Sequence, residues 1–192
     1  MEYKTKDFSS LLGIKGLSET LLRNHFTLYN GYVTNTNKLL ALLDKLEPGT
    51  IEYSELQRRF GWEFNGMRLH ELYFGNMSKN SKTINMDSQF AKELIRIYGS
   101  YENWEKNFKA VGAMRGIGWA LLVYDPEKKE LFNIWINEHD VGHFSTTVTL
   151  LVMDVFEHAF MLDYGIKRAD YISAFFKAID WDTVEKRFKA TQ

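Results

Sequence analysis

The segment Leu150-Leu151-Val152-Met153-Asp154-Val155-Phe156-Glu157-His158-Ala159-Phe160 sets an Asp, a Glu and a His inside an apolar run. A buried carboxylate without a partner costs several kcal/mol or is driven to take up a proton, so hydrogen bonds, an ion pair or a cation must compensate it. Spacing narrows the choice. In a strand continued through His158, the two side chains would stand about 13 Å apart at ~3.3 Å per residue, too far to share one ion with bonds of about 2 Å. A helix or turn beginning at Asp154 would instead place them about 6 Å apart along one face. Taken alone, the pair also has a plain structural explanation, in which Asp154 caps a helix and His158 is a core histidine with a satisfied ring. Two further histidines add weight to a ligand role. His25 lies among Leu21, Leu22, Tyr29 and Tyr32, and His70 among Leu69, Leu72, Tyr73 and Phe74, each on a largely apolar helical face. Two facing helices with inward histidines, joined by the Asp/His pair, would form a cage of three His and one carboxylate. Such a donor set suits a borderline, redox-active ion such as Fe or Mn, with a fifth position open to water.

The elements that must position these groups follow from periodicity. Apolar residues recur at helical spacing from Leu17 to Leu46, with Ser18 as N-cap, and predict one long helix, with Gly31 as the place for a kink. A second helix is expected over Ser54 to Met77, and the polar tract Ser78-Lys79-Asn80-Ser81-Lys82 closes an N-terminal helical hairpin domain, residues 1–82. Residues 83–192 form the expected C-terminal α/β domain. Ser88–Tyr98 and Tyr101–Val111 predict two helices. Gly118–Tyr124 and Glu130–Asn137 predict strands joined through Asp125-Pro126-Glu127, Thr146–Asp154 a third strand, and Arg168–Phe188 a last helix. Helices followed by a small, three-stranded, mainly antiparallel sheet with surrounding helices place the fold in the α+β class.

Composition removes several functions. Cysteine is absent, which excludes disulfides, thiolate metal sites, iron–sulfur clusters and cysteine nucleophiles, so any metal must be held by N and O. Lys+Arg 24 against Asp+Glu 25 leaves a formal charge of −1, too little global field to hold nucleic acid or an anionic membrane. MEYKTKDFSS is no signal peptide and no apolar run is long enough to span a bilayer; we expect a soluble, cytoplasmic protein.

Asp154-Val155-Phe156-Glu157-His158-Ala159 with Asp163-Tyr164 resembles the C-terminal signature of the iron/manganese superoxide dismutases. The resemblance extends along most of the chain and in the family's order. It takes in Tyr32-Val33-Thr34-Asn35-Thr36-Asn37, Phe64-Asn65 leading to His70, Tyr73-Phe74, Gly116-Ile117-Gly118-Trp119-Ala120-Leu121-Leu122-Val123, Arg168-Ala169-Asp170-Tyr171 and Asp180-Trp181. It implies that His25, His70, Asp154 and His158 hold one Fe or Mn per subunit. It further implies that the reaction is disproportionation of superoxide, a small anion, to oxygen and hydrogen peroxide. Tyr32, His139, Trp119 and Arg168 become the remaining site residues. Tyr32 matches the tyrosine that faces the metal from the substrate funnel, and Arg168 the arginine that guides the anion. The family places a glutamine beside the metal's solvent from one of two positions. The first is Gly66 here, which cannot donate, and the second is His139, with His143 as competitor. Resemblance also implies a homodimer with Glu157 bridging to the partner subunit.

The chain departs from the pattern in three places. His25 to Tyr32 spans seven residues where the family usually counts eight; seven return to within about 20° of one face on a regular α-helix, so a first helix without a π-bulge is expected. Phe156 replaces an interior tryptophan, keeping an apolar wall and losing an N–H donor. Tyr29 and Met161 stand where the family has a histidine and a tyrosine that bond across the dimer interface. These changes keep a non-catalytic, superoxide-dismutase-like metal-binding or interaction protein as the alternative, while an N/O-ligated iron oxygenase or hydrolase would ordinarily leave more coordination positions open.

Overall fold

A computed structural model describes residues 2–192. After an extended arm and a short 3₁₀ turn, α1 (Glu19–Leu43) and α2 (Ile51–Gly75) pack as a helical hairpin. Ser18 caps α1 by accepting from the Leu21 N–H, and Thr50 caps α2 by accepting from Tyr53 N–H, which starts α2 slightly earlier than its apolar periodicity suggests. Helix α1 runs as uninterrupted α-helix through Gly31, with neither a kinked break nor a π-turn between His25 and Tyr32.

The second half contains α3 (Gln89–Tyr98), α4 (Tyr101–Gly112), β1 (Trp119–Asp125), β2 (Glu130–Ile136) and β3 (Val148–Asp154). A 3₁₀ turn at Glu157–Ala159, α5 (Met161–Tyr164), α6 (Arg168–Ala178) and α7 (Trp181–Lys189) complete it. Both strand pairs are antiparallel, in the order β2-β1-β3, so the fold is α+β with a fully antiparallel sheet. Strand β3 begins only at Val148, because Thr146 has φ +66°, outside extended geometry. The expected single helix over Arg168–Phe188 is two. Ile179 is extended and bridges to Met77, and Asp180 then caps α7 by accepting from the Thr183 N–H, so a local cap and a tertiary bridge override continuous helical periodicity. No helix among the described residues is long and apolar enough to cross a membrane.

Central β1 is buried along nearly its whole length, while its neighbours each leave one edge of backbone groups to be satisfied. Helix ends and side chains do this. The buried Asn76 amide, just past α2, donates to Val152 O at 3.2 Å and accepts from Val152 N–H at 2.9 Å, acting as one residue of a further strand. The Arg187 guanidinium of α7 donates to Leu150 O at 2.8 Å and to Leu72 O at 3.0 Å, tying β3 to the end of α2. On the other edge, the Tyr98 hydroxyl donates to Leu131 O and accepts from Asn133 N–H, both at 3.2 Å. The sheet is therefore clamped to α2, which carries His70. Asn76→Ala would leave both Val152 groups unpaired and buried, and is expected to lower stability by about 3 kcal/mol in chemical denaturation at constant metal content.

Candidate metal centre

His25 projects from α1, His70 from α2, Asp154 from the last position of β3, and His158 from the 3₁₀ turn that follows. The turn forms because the chain leaves the sheet at Asp154, whose Oδ1 accepts the Phe156 N–H at 2.9 Å while Val155 N–H donates to Gly118 O at 2.9 Å. This reversal brings His158 back over Asp154, the convergence that a straight strand would have forbidden.

Asp154 Oδ2 then faces three imidazoles: His25 Nε2 at 3.2 Å, His158 Nε2 at 3.2 Å and His70 Nε2 at 3.7 Å. The four ligand atoms lie within 4.8 Å of one another. Donors bound at ~2.1 Å to one ion stand roughly 3–4 Å apart, so the cluster is within about an ångström of the dimensions of a coordination shell. Two observations test the fit. The Nε2 atoms of His25 and His70 are buried, with no hydrogen-bond partner among the described residues. In addition, His70 Nδ1–H donates to Gly66 O at 2.6 Å, which fixes the tautomer and leaves the Nε2 lone pair turned toward Asp154. The residues fit a divalent or trivalent cation of Fe or Mn type.

Electrostatics points the same way. Burial pushes the His25 pKa down, against the opposing pull of Asp154, and drives His70 well below the usual histidine range, with the neighbouring His25 adding to the effect. Both rings are neutral near pH 7 and free to bind a metal without proton competition. For Asp154 burial alone would raise the pKa, but the charge of His158 and the contacts of His158 and His25 outweigh it, and the carboxyl is held well below the carboxylate range.

Outside the four ligands, Trp119, His139 and Tyr32 form a chain. The Trp119 indole N–H donates to His139 Nδ1 at 3.0 Å, and His139 Nε2 lies 2.8 Å from the Tyr32 hydroxyl. An indole only donates, so Nδ1 is the acceptor and the neutral ring carries its proton on Nε2, donating to Tyr32. The hydrogen of Tyr32 is thereby free for another acceptor. Burial lowers the His139 pKa to about 4, with Asp154 opposing. Burial also raises Tyr32 above the ordinary phenol range, reinforced by the charges of Asp154 and Glu63. His143 does not compete for this position: it is exposed, and its Nε2 meets the His139 carbonyl at 2.8 Å. A cleft of about 210 Å³ lined by Leu28, Gly31, Asn35, Arg59 and Trp62 leads to the Tyr32 ring.

Arg168 is placed differently from the others. Its guanidinium donates to Met114 O at 2.7 Å and Gly116 O at 2.8 Å and lies 5.3 Å from the centre of the Phe160 ring, so it braces the loop before β1. Glu157 is exposed. Tyr29 points into the protein: its hydroxyl donates to Glu71 Oε1 and accepts from Lys6 N–H, each at 3.1 Å. Sequence reasoning missed Trp62, whose ring packs on Tyr32 and His139 with centroids 5.5 and 4.5 Å away. Trp62 lies between Phe60 and Phe64, and nothing in the local pattern separates it from ordinary packing aromatics.

The C-terminal domain model of the iron/manganese superoxide dismutases matches residues 86–187, more than half of the chain. The chain belongs to the iron/manganese superoxide dismutase family. Among curated proteins it is 32% identical over 181 residues to an iron superoxide dismutase of Saccharolobus solfataricus, covering 90% of this chain and 86% of that one. It is 35% identical over 176 residues to a manganese superoxide dismutase of Haloferax volcanii, covering 90% and 87%. With an iron superoxide dismutase of Cupriavidus metallidurans it shares 33% over 183 residues, covering 92% and 91%. Relatives of both metal types thus match across nearly the whole length.

Gly66 is tightly enclosed. A Cβ there would lie 2.5 Å from Tyr32 Cδ1 and 2.7 Å from Cε1, and the Tyr32 ring can yield only by giving up its packing against His70 and Trp62. A glutamine on α2 is therefore sterically closed to this chain. Gly66→Ala is expected to displace Tyr32, break its hydrogen bond to His139 and cost about 2 kcal/mol in denaturation, Gly66→Gln at least as much.

Proposed function

We propose that the chain catalyses disproportionation of superoxide at one Fe or Mn held by His25, His70, Asp154 and His158. The observation that carries this is the pair of orphaned, buried Nε2 atoms aimed with His158 at a single carboxylate oxygen. When bound, the ion supplies one-electron chemistry: one superoxide is oxidised to dioxygen, and a second takes up one electron and two protons to become hydrogen peroxide.

The protein's part is binding, exclusion of water and management of protons. Asp154 and the three imidazoles hold the ion. Trp119, buried, and Phe156, packed 5.0 Å from the His139 ring, wall off bulk water. Tyr32 keeps its proton at neutral pH and helps line the cleft, so it acts as a hydrogen-bond donor rather than a phenolate. His139, donating from Nε2, orients that hydroxyl and is the outer partner that tunes the balance between the two oxidation states. Arg168 contributes a local positive field for the incoming anion while holding its loop.

A homodimer fits the same reading. Exposed Glu157 sits one position before His158, and Met161, Leu162 and Ile166, in the segment that follows, are 48%, 58% and 90% exposed. Exposed apolar side chains in the same segment as this carboxylate suit a two-fold interface that would cover the outer side of His158.

Metal analysis paired with superoxide consumption tests the main claim. His158→Ala is expected to lose bound metal and activity together, by more than about a hundredfold, beyond the range for loss of an outer partner. His139→Gln should retain the metal and alter the ratio of oxidised to reduced ion at a fixed potential. Inert protein at full metal occupancy would overturn the catalytic reading. Light scattering is expected to give twice the chain mass, and a monomer mass independent of concentration would remove the dimer.

A further inference from the structure

His139 occupies the middle of a three-residue loop, closed by Asn137 N–H to Val141 O at 3.0 Å and Val141 N–H to Asn137 O at 3.4 Å. The residue before it, Glu138, has φ +54°. A glutamate in the left-handed region costs on the order of 1 kcal/mol or more, and its side chain, unlike Asn or Asp, gives little local relief. An outside contact must hold the loop in this shape.

Trp62 makes that contact. Its indole N–H donates to Glu138 Oε2 at 3.4 Å, and its ring packs edge-to-face on the His139 imidazole. The Arg59 guanidinium lies 3.8 Å from the centre of the Trp62 ring. Arg59 is held at 2.8 Å by the buried Glu63, which also accepts from Asn35 on α1 at 3.5 Å. The indole is thus fixed by a cation and an imidazole, on the same helix that carries His70.

We propose that Trp62 is a positioning residue for His139, setting its place over the metal centre through the Glu138 carboxylate and the ring contact, and thereby the redox balance of the site. This rests on His139 being the outer partner described above. The bland alternative is that Trp62 only fills space in the wall of the cleft.

Redox titration of the metal-loaded protein, followed optically with metal content measured in parallel, separates the two. Trp62→Phe keeps a ring and loses the N–H; Glu138→Gly relieves the left-handed backbone and removes the acceptor. Each is expected to change the oxidised-to-reduced ratio at a fixed potential roughly tenfold with metal content unchanged. Glu138→Gln, which retains an amide oxygen as acceptor, is expected to restore the ratio of the unaltered protein. If His139→Gln moves the ratio while Trp62→Phe and Glu138→Gly do not, His139 keeps its role and the Trp62 proposal is overturned. If His139→Gln leaves the ratio unmoved, the outer-partner assignment fails and the proposal fails with it. Should Trp62→Phe not fold, the Glu138 pair decides.

Discussion

A single oxygen of a fully buried carboxylate, Asp154 Oδ2, stands within 3.7 Å of three imidazole nitrogens, two of which have no hydrogen-bond partner among the described residues. In a protein interior such a group is tolerable only when a positive charge compensates it, and the buried, neutral imidazoles of His25 and His70 supply none. A cation at their centre resolves the conflict, because it accepts every lone pair the cluster presents. Much of the surrounding architecture serves to bring four side chains from distant parts of the chain to this point and to keep water from filling it instead.

The sheet sets the carboxylate. Trp119 at the start of β1 lies opposite Asp154 at the end of β3, so the register that places the ligand also places the donor to His139. Close approach at the start of β1 demands Gly118, where φ is +119° and a Cβ would fall 1.9 Å from Ile136 O. From the opposite side, the Tyr171 hydroxyl donates to Asp154 O at 2.7 Å, so α6 fixes the backbone just as the turn fixes Oδ1. The ligand has little freedom left, which is what a centre cycling between oxidation states requires to limit reorganisation.

The hairpin and the loop after β2 have adjusted to one another. A first helix without a bulge carries Tyr32 over Gly66, and that contact closes α2 as a source of an outer donor. His139 enters from the loop after β2 and is held among Trp119, Trp62, Phe156 and Tyr32. Tyr29 joins the exposed Lys6 and the half-buried Arg68 around the buried Glu71 carboxylate, a polar knot that straps the N-terminal arm across the hairpin.

The four clustered residues were legible from the chain itself because burial of ionisable groups is costly, so an Asp, a Glu and three histidines on apolar faces already ask for a shared partner. The long helices were legible because their periodicity and hydroxyl caps are local properties. Tertiary structure alone decided the rest. The break at Ile179 and Asp180 depends on a bridge to Met77, far away in sequence. The position of Arg168 against the carbonyls of Met114 and Gly116 and the clamp of Trp62 on Glu138 and His139 likewise join residues with no local relation. Residue type announces which side chains need a partner; which partner each one finds is set by strand register and helix packing, long-range geometry that no local spacing encodes.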